Sequence, residues 1–163
     1  MAALMLRRTA TVLSSCAVAA GIVMAPEAGA APAAAPTVTD AVAQGCYTRD
    51  GYPPDGGRNI GGNPPKYKWD HTPYVGARYA SCGRTVRLYY GGYTNNTTHY
   101  NVRYAPPGGG WQQTELRAGA HMMWKFPAAY GDYNFSVQAC NRGGAFQSSR
   151  CTNWSPQLYL NTR

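Results

Sequence analysis

The sequence predicts an all-β protein in which two antiparallel sheets pack face to face, with a loop-rich N-terminal extension. Three observations carry this. Along Tyr133, Phe135, Val137 and Ala139 apolar residues fall at every second position with Asn134, Ser136 and Gln138 between them, the period of a strand with one buried face. The same period returns at Val86, Leu88 and Tyr90, at Tyr100, Val102 and Tyr104, and at Met122, Trp124 and Phe126, and this strand spacing fits a two-sheet sandwich. No stretch joins helical periodicity to capping residues.

The chain opens with Arg7-Arg8, an apolar run from Thr9 to Ala25 and then Ala28-Gly29-Ala30, the charge, core and small-residue cleavage site of an export signal. Residues 1–30 are therefore expected to be removed and the mature protein to be free in the medium, without stable membrane insertion. The run is at the short end of the roughly 17 to 25 residues a membrane span needs, and the cleavage site follows at once. Leu13-Ser-Ser-Cys16 matches a lipoprotein attachment pattern, but cleavage there would leave an apolar stretch behind the cysteine, so Cys16 is assigned to the signal. Residues 31–45, rich in Ala, Pro and Thr, bury too little apolar surface to offset their ordering entropy and read as a flexible linker.

From Cys46 to Pro73 the composition turns to Gly, Pro, Tyr and Asn, with turn signals at Pro53-Pro54-Asp55-Gly56 and Asn63-Pro64-Pro65. This extension is expected to be built of loops rather than strands and tethered through Cys46. The sandwich then occupies 74–163. Tyr74 to Ala80 is its first strand, Cys82-Gly83 a turn, and Val86, Leu88 and Tyr90 the inward positions of the second, with Arg87 and Tyr89 outward. Tyr100, Val102 and Tyr104 face inward on the third, which Pro106-Pro-Gly-Gly-Gly110 ends. Trp111 to Leu116 forms a short strand, Met122, Trp124 and Phe126 point inward on the next, Pro127 and Gly131 turn the corner into 133–139, and Leu158 and Leu160 face inward on the last.

The run Phe126-Pro127, Tyr133-x-Phe135-x-Val137-x-Ala139-x-Asn141 and Trp154-Ser155-Pro156 before a final alternating strand resembles the later strands of a fibronectin type III domain, within the immunoglobulin-like sandwiches. The resemblance implies that the Tyr133 hydroxyl returns to the backbone a few residues upstream and fastens the corner. It places Tyr90 where the family usually has a core Trp. The Ala-rich leader and Gly/Tyr/Arg-rich body are similar in style to exported proteins of actinomycete-like bacteria.

Without Cys16 the chain keeps Cys46, Cys82, Cys140 and Cys151, an even number in an exported protein and hence two disulfides, for which three pairings exist. Parity narrows them. With Tyr133, Phe135, Val137 and Ala139 inward, Cys140 points outward or ends the strand, so it does not bridge the two sheets. Its natural partner is Cys151, closing the loop 141–150, which leaves Cys82 to hold Cys46.

Removal of 1–30 takes away Arg7, Arg8 and Glu27, so the mature charge is 13 − 6 = +7. Such a charge favours anionic partners without specifying one, and no nucleic-acid motif accompanies it. Asp70-His71 is the one adjacent acid and imidazole pair, and it lacks the context of a proton relay. His71, His99 and His121 fall in separate elements, and the cysteines serve as bridges. No catalytic residue, metal site or cofactor is therefore assigned. The aromatic content is more informative, because exposed rings beside Asn, Gln and Arg suit stacking on sugar rings. Candidate binding residues are Tyr47, Tyr67, Trp69, Tyr89, Trp111, Arg142 and Arg150. The alternative for the aromatics of the extension is that they cover an open sheet edge.

By analogy with bacterial domains of this kind, the resemblance implies a non-catalytic secreted binding or adhesion module for extracellular polysaccharide or an anionic cell-wall polymer. A second reading is an exported protease inhibitor presenting the closed loop 141–150. A small secreted hydrolase is the third.

Overall fold

Backbone pairing gathers the alternating segments into two antiparallel sheets, and their apolar faces meet. The computed structural model describes residues 45–145 and 148–163. The export leader, its cleavage site after Ala30 and the linker up to residue 44 lie outside the described residues, as do Phe146 and Gln147. Among the described residues every regular element is a strand, and no helix is long and apolar enough to cross a membrane.

Three short strands come from the extension: β1 (Thr48–Asp50), β2 (Arg58–Gly61) and β3 (Lys66–Lys68). The sandwich contributes β4 (Tyr74–Ala80), β5 (Thr85–Gly91), β6 (His99–Ala105), β7 (Gln112–Arg117), β8 (His121–Pro127), β9 (Asp132–Asn141), β10 (Arg150–Cys151) and β11 (Leu158–Asn161). The first sheet runs β2-β3-β4-β5-β8 with β1 also on β4; the second runs β10-β9-β6-β7 with β11 also on β9.

The expected alternation decides which residues are buried. Val75, Ala77 and Tyr79 of β4, Val86, Leu88 and Tyr90 of β5, Tyr100 and Val102 of β6, and Leu158 and Leu160 of β11 form one core with Tyr133, Phe135, Val137 and Ala139 of β9. Aromatic contacts cross between the sheets: Tyr90 lies 5.2 Å from Tyr100, Tyr104 lies 5.3 Å from Trp124, and Phe126 lies 6.2 Å from Phe135, as ring centroids. Offset and edge-on rings at such distances add dispersion and quadrupole attraction to the burial of apolar area.

The corner before β9 is fastened as expected at Tyr133, with the backbone N–H of Ala129 donating to the phenolic oxygen at 2.7 Å. Gly131 is required there. Its φ is 137°, and a Cβ would come within 2.7 Å of Pro107. The buried Thr162 closes the corner from the other side, its hydroxyl accepting from the Gly131 N–H and lying 2.8 Å from the Ala129 carbonyl.

Both disulfides, Cys46–Cys82 and Cys140–Cys151, form as parity and loop closure require. One expectation needs correction. The extension is not free of strands: β5 runs along one edge of β4, so β1 and β3 share the other edge and supply partners for its backbone groups. Strands of three or four residues leave no room for a readable period, and their pairing comes from docking on β4. Cys140, outward by parity, is nevertheless buried. The segment that follows β10 runs along β9 and covers it, with the Thr152 N–H donating to the Ala139 carbonyl at 2.8 Å.

Candidate functional site

A cleft of about 550 Å³ opens on the second sheet, lined by Arg103 of β6, Trp111 just before β7, Ser136 of β9, Trp154 to Gln157 and Asp55 from the extension. Its floor is set by an irregular pairing. Between β10 and β11 the chain stays beside β9, and the Ser155 N–H donates to the Val137 carbonyl at 2.8 Å. The reciprocal bond is made by a side chain, since the Val137 N–H donates to Ser155 Oγ at 2.9 Å. The Ser155 carbonyl, freed from the ladder, accepts from the Ser136 hydroxyl at 2.5 Å. Pro156, which has no N–H to donate, is tolerated at this break. Ser155 is buried, so its three bonds hold the backbone on both sides of it and thereby fix Trp154.

The guanidinium of Arg103 lies 4.1 Å from the centroid of Trp154, a cation-π contact, and its Nε donates to Gln113 at 3.3 Å. One face of Trp154 is thus occupied, and Trp111, 51 % exposed, supplies the free ring of the cleft. Aromatic surface bordered by Arg, Asp and Gln is a combination suited to a sugar ring, apolar face to π-face with hydroxyls directed to the polar side chains.

The seven residues singled out from the sequence do not converge. Trp111 lies in the cleft. Tyr47 is exposed, packs edge-on against Tyr79 and carries Arg49 at 5.4 Å from its ring centroid. Tyr67 and Trp69 are half-buried against the core, and the Trp69 indole N–H is buried without a partner among the described residues. Tyr89 lies on the outer side of the first sheet with the Lys66 amine 5.7 Å from its centroid. Arg142 is engaged with Glu115. That pairing holds the Glu115 carboxyl below its ordinary range, mainly through the Arg142 hydrogen bond and further through His99. Arg150 lines a separate recess of about 630 Å³ beside the Cys140–Cys151 bridge, with Asn95, Asn96 and Asn141. Of the extension's aromatics, Tyr67 and Trp69 thus pack against the core, while Tyr47 and Tyr52 remain exposed.

Trp154, Arg103, Asp55 and Gln157 were not among the expected binding residues. Trp154 reads from sequence as part of a structural motif, Arg103 as a solvated strand cation and Asp55 as a turn former, and they meet only through tertiary pairing. Among the described residues no group of three or more His, Cys, Asp or Glu is placed to hold a metal ion. Asp70 and His71 border a recess of about 360 Å³ with Arg58, Lys68, Trp69 and Tyr93. Compared with family models, curated proteins and solved structures, the chain has no match.

Proposed function

We propose that this chain is a secreted, non-catalytic binding module on a fibronectin type III-like sandwich, and that the Trp111 and Trp154 cleft takes an extracellular polysaccharide. The strand order supports the family reading: β4-β5-β8 in one sheet and β7-β6-β9 with β10 and β11 in the other follow the pattern that the Trp154-Ser155-Pro156 and Tyr133 motifs imply. Two disulfides are in keeping with an oxidising compartment. The observation that carries the functional reading is the cleft itself, lined by an exposed indole and an Arg-stacked indole together with Asp55 and Gln157.

A pull-down of the intact protein on a panel of insoluble polysaccharides tests this. Retention of the wild type on at least one polymer is expected, with an affinity loss of about tenfold or more in Trp111→Ala, since stacking surfaces of this size contribute on the order of 1 to 3 kcal/mol. Absence of retention on every polymer, or retention untouched by Trp111→Ala, would contradict the assignment.

A further inference from the structure

We propose that the outward face of the first sheet, on the side of the sandwich opposite the cleft, is a second binding surface that takes a linear acidic polysaccharide. With Ala77 and Tyr79 of β4, Val86 and Leu88 of β5 and Trp124 and Phe126 of β8 turned to the core, the residues between them point outward. Register then sets Arg78 opposite Arg87 and Arg87 opposite Lys125, a row of cations on three adjacent strands. Neighbouring strands lie about 4.8 Å apart. Arg78 is satisfied by Asp50, which pairs with it from β1 through two hydrogen bonds of 2.5 and 2.7 Å. Arg87 and Lys125 have no acidic partner among the described residues.

The extension adds to this face. Where Gly76 leaves space on β4, the chain of β3 crosses over it, and a Cβ on Gly76 would come within 2.6 Å of the Pro65 carbonyl. The crossing lays Lys66 over Tyr89, the residue next to the Arg87 row. Because Tyr67 turns toward the core, Lys68 shares the side of Lys66, and it stands directly opposite Arg58 of β2. Lys66, Arg87 and Lys125 thus share one face with Asp50 engaged by Arg78, while Arg58 and Lys68 line the neighbouring recess with Asp70, the Lys68 amine 5.6 Å from the centroid of Tyr93. Like charges directly opposite in an antiparallel pair are destabilising, and this face holds such a pair, without an acidic partner, at Arg87 with Lys125. An anion seated across the rows removes that repulsion.

Repeated cations on adjacent strands match a repeated anion along a polymer better than a single small ion. The chemistry favours acidic sugar over single-stranded nucleic acid, because base recognition needs free aromatic faces and Tyr89 is already capped by Lys66. This inference does not depend on the cleft.

The test uses the intact protein with heparin and polygalacturonate as acidic probes, dextran as the neutral one and single-stranded DNA as the competing polyanion. Both acidic polysaccharides are expected to bind more tightly than dextran and DNA, with affinity falling steeply as salt rises from 50 to 200 mM. Arg87→Gln with Lys125→Gln should weaken that binding by about tenfold or more at low salt. Arg117→Gln with Arg150→Gln, an equal loss of charge on the second sheet, should change it by less than about twofold. An equal effect of the two double variants would reduce the surface to unspecific net charge and overturn the proposal. Tighter binding of DNA, or no binding of either acidic polymer, would do the same.

Discussion

Replacing Ser155 by alanine removes one oxygen from the place where fold and cleft are joined. That oxygen accepts from the Val137 N–H at 2.9 Å, and Val137 is fully buried while Ser155 is 3 % exposed. Solvent has no route to the orphaned N–H, so its desolvation is uncompensated, at a cost of about 1 to 3 kcal/mol. The two other bonds survive, because the Ser155 N–H and carbonyl belong to the backbone. For a domain of this size the loss corresponds to a fall in Tm of roughly 4 to 12 °C. Calorimetry of the purified variant measures it. Ser136→Ala removes the hydroxyl that donates to the buried Ser155 carbonyl and is expected to fall in the same range, since that acceptor is then left without a partner. A Ser155→Ala variant within about 0.5 kcal/mol of wild type would refute the reasoning, since it would mean that the Val137 N–H finds another partner.

Tyr133→Phe keeps the ring in the core and orphans the Ala129 N–H, which accounts for an expected loss of about 1 to 2 kcal/mol in a denaturant melt. Reducing the bridges one at a time by Cys→Ala pairs should cost more for Cys46–Cys82 than for Cys140–Cys151, about 4 against about 3 kcal/mol, because the sequence separations are 36 and 11 residues. The reverse order in urea melts would show that the extension adds little to the folded state. At high pH, burial first and the neighbouring Tyr100 second push Tyr74 up from 10.0 to about 12. The folded-state value is the higher one, so the stability it contributes is complete below pH 10 and is lost as pH rises toward 12. Phenolate absorbance should therefore rise in two stages, with the buried tyrosines ionising together with unfolding. At low pH the opposite sign holds for Asp132, lowered from 3.8 chiefly by the Tyr159 hydroxyl and further by Asn161 and Arg163. Its contribution is present above the ordinary carboxylate range and disappears as pH falls through the lowered value, and Asp132→Asn should flatten that acid limb.

What was legible in the sequence is what a two-residue period can encode. The first strand of the sandwich spans Tyr74–Ala80 as expected, and the inward sets of β5, β6, β8, β9 and β11 follow from alternation. Alternation also placed Cys140 beside Cys151, because it excludes a bridge through the core. What lay beyond the sequence depends on cross-strand register or on side chains replacing backbone. The row of Arg78, Arg87 and Lys125 comes from three strands whose relative shift no period specifies. The cleft depends on Ser155 entering the β9 ladder through its hydroxyl, which brings Trp154 under Arg103. Tyr159, outward by parity, donates its hydroxyl to Asp132 at 2.6 Å and packs on Tyr52, so it is more constrained than an ordinary exposed tyrosine. The extension shows the same limit, since β1 and β3 are strands by virtue of the β4 edge they cover.

The proposed place of ligand contact is the cleft lined by Trp111 and Trp154. Heteronuclear NMR during titration with a soluble oligosaccharide of any polymer that retains the protein tests it most directly. Saturable shifts of the Trp111 and Trp154 indole N–H signals, together with the Arg103 Nε–H and the backbone of Asp55 and Gln157, are the result the geometry predicts. Saturable binding that leaves these signals in place and moves others instead would contradict it.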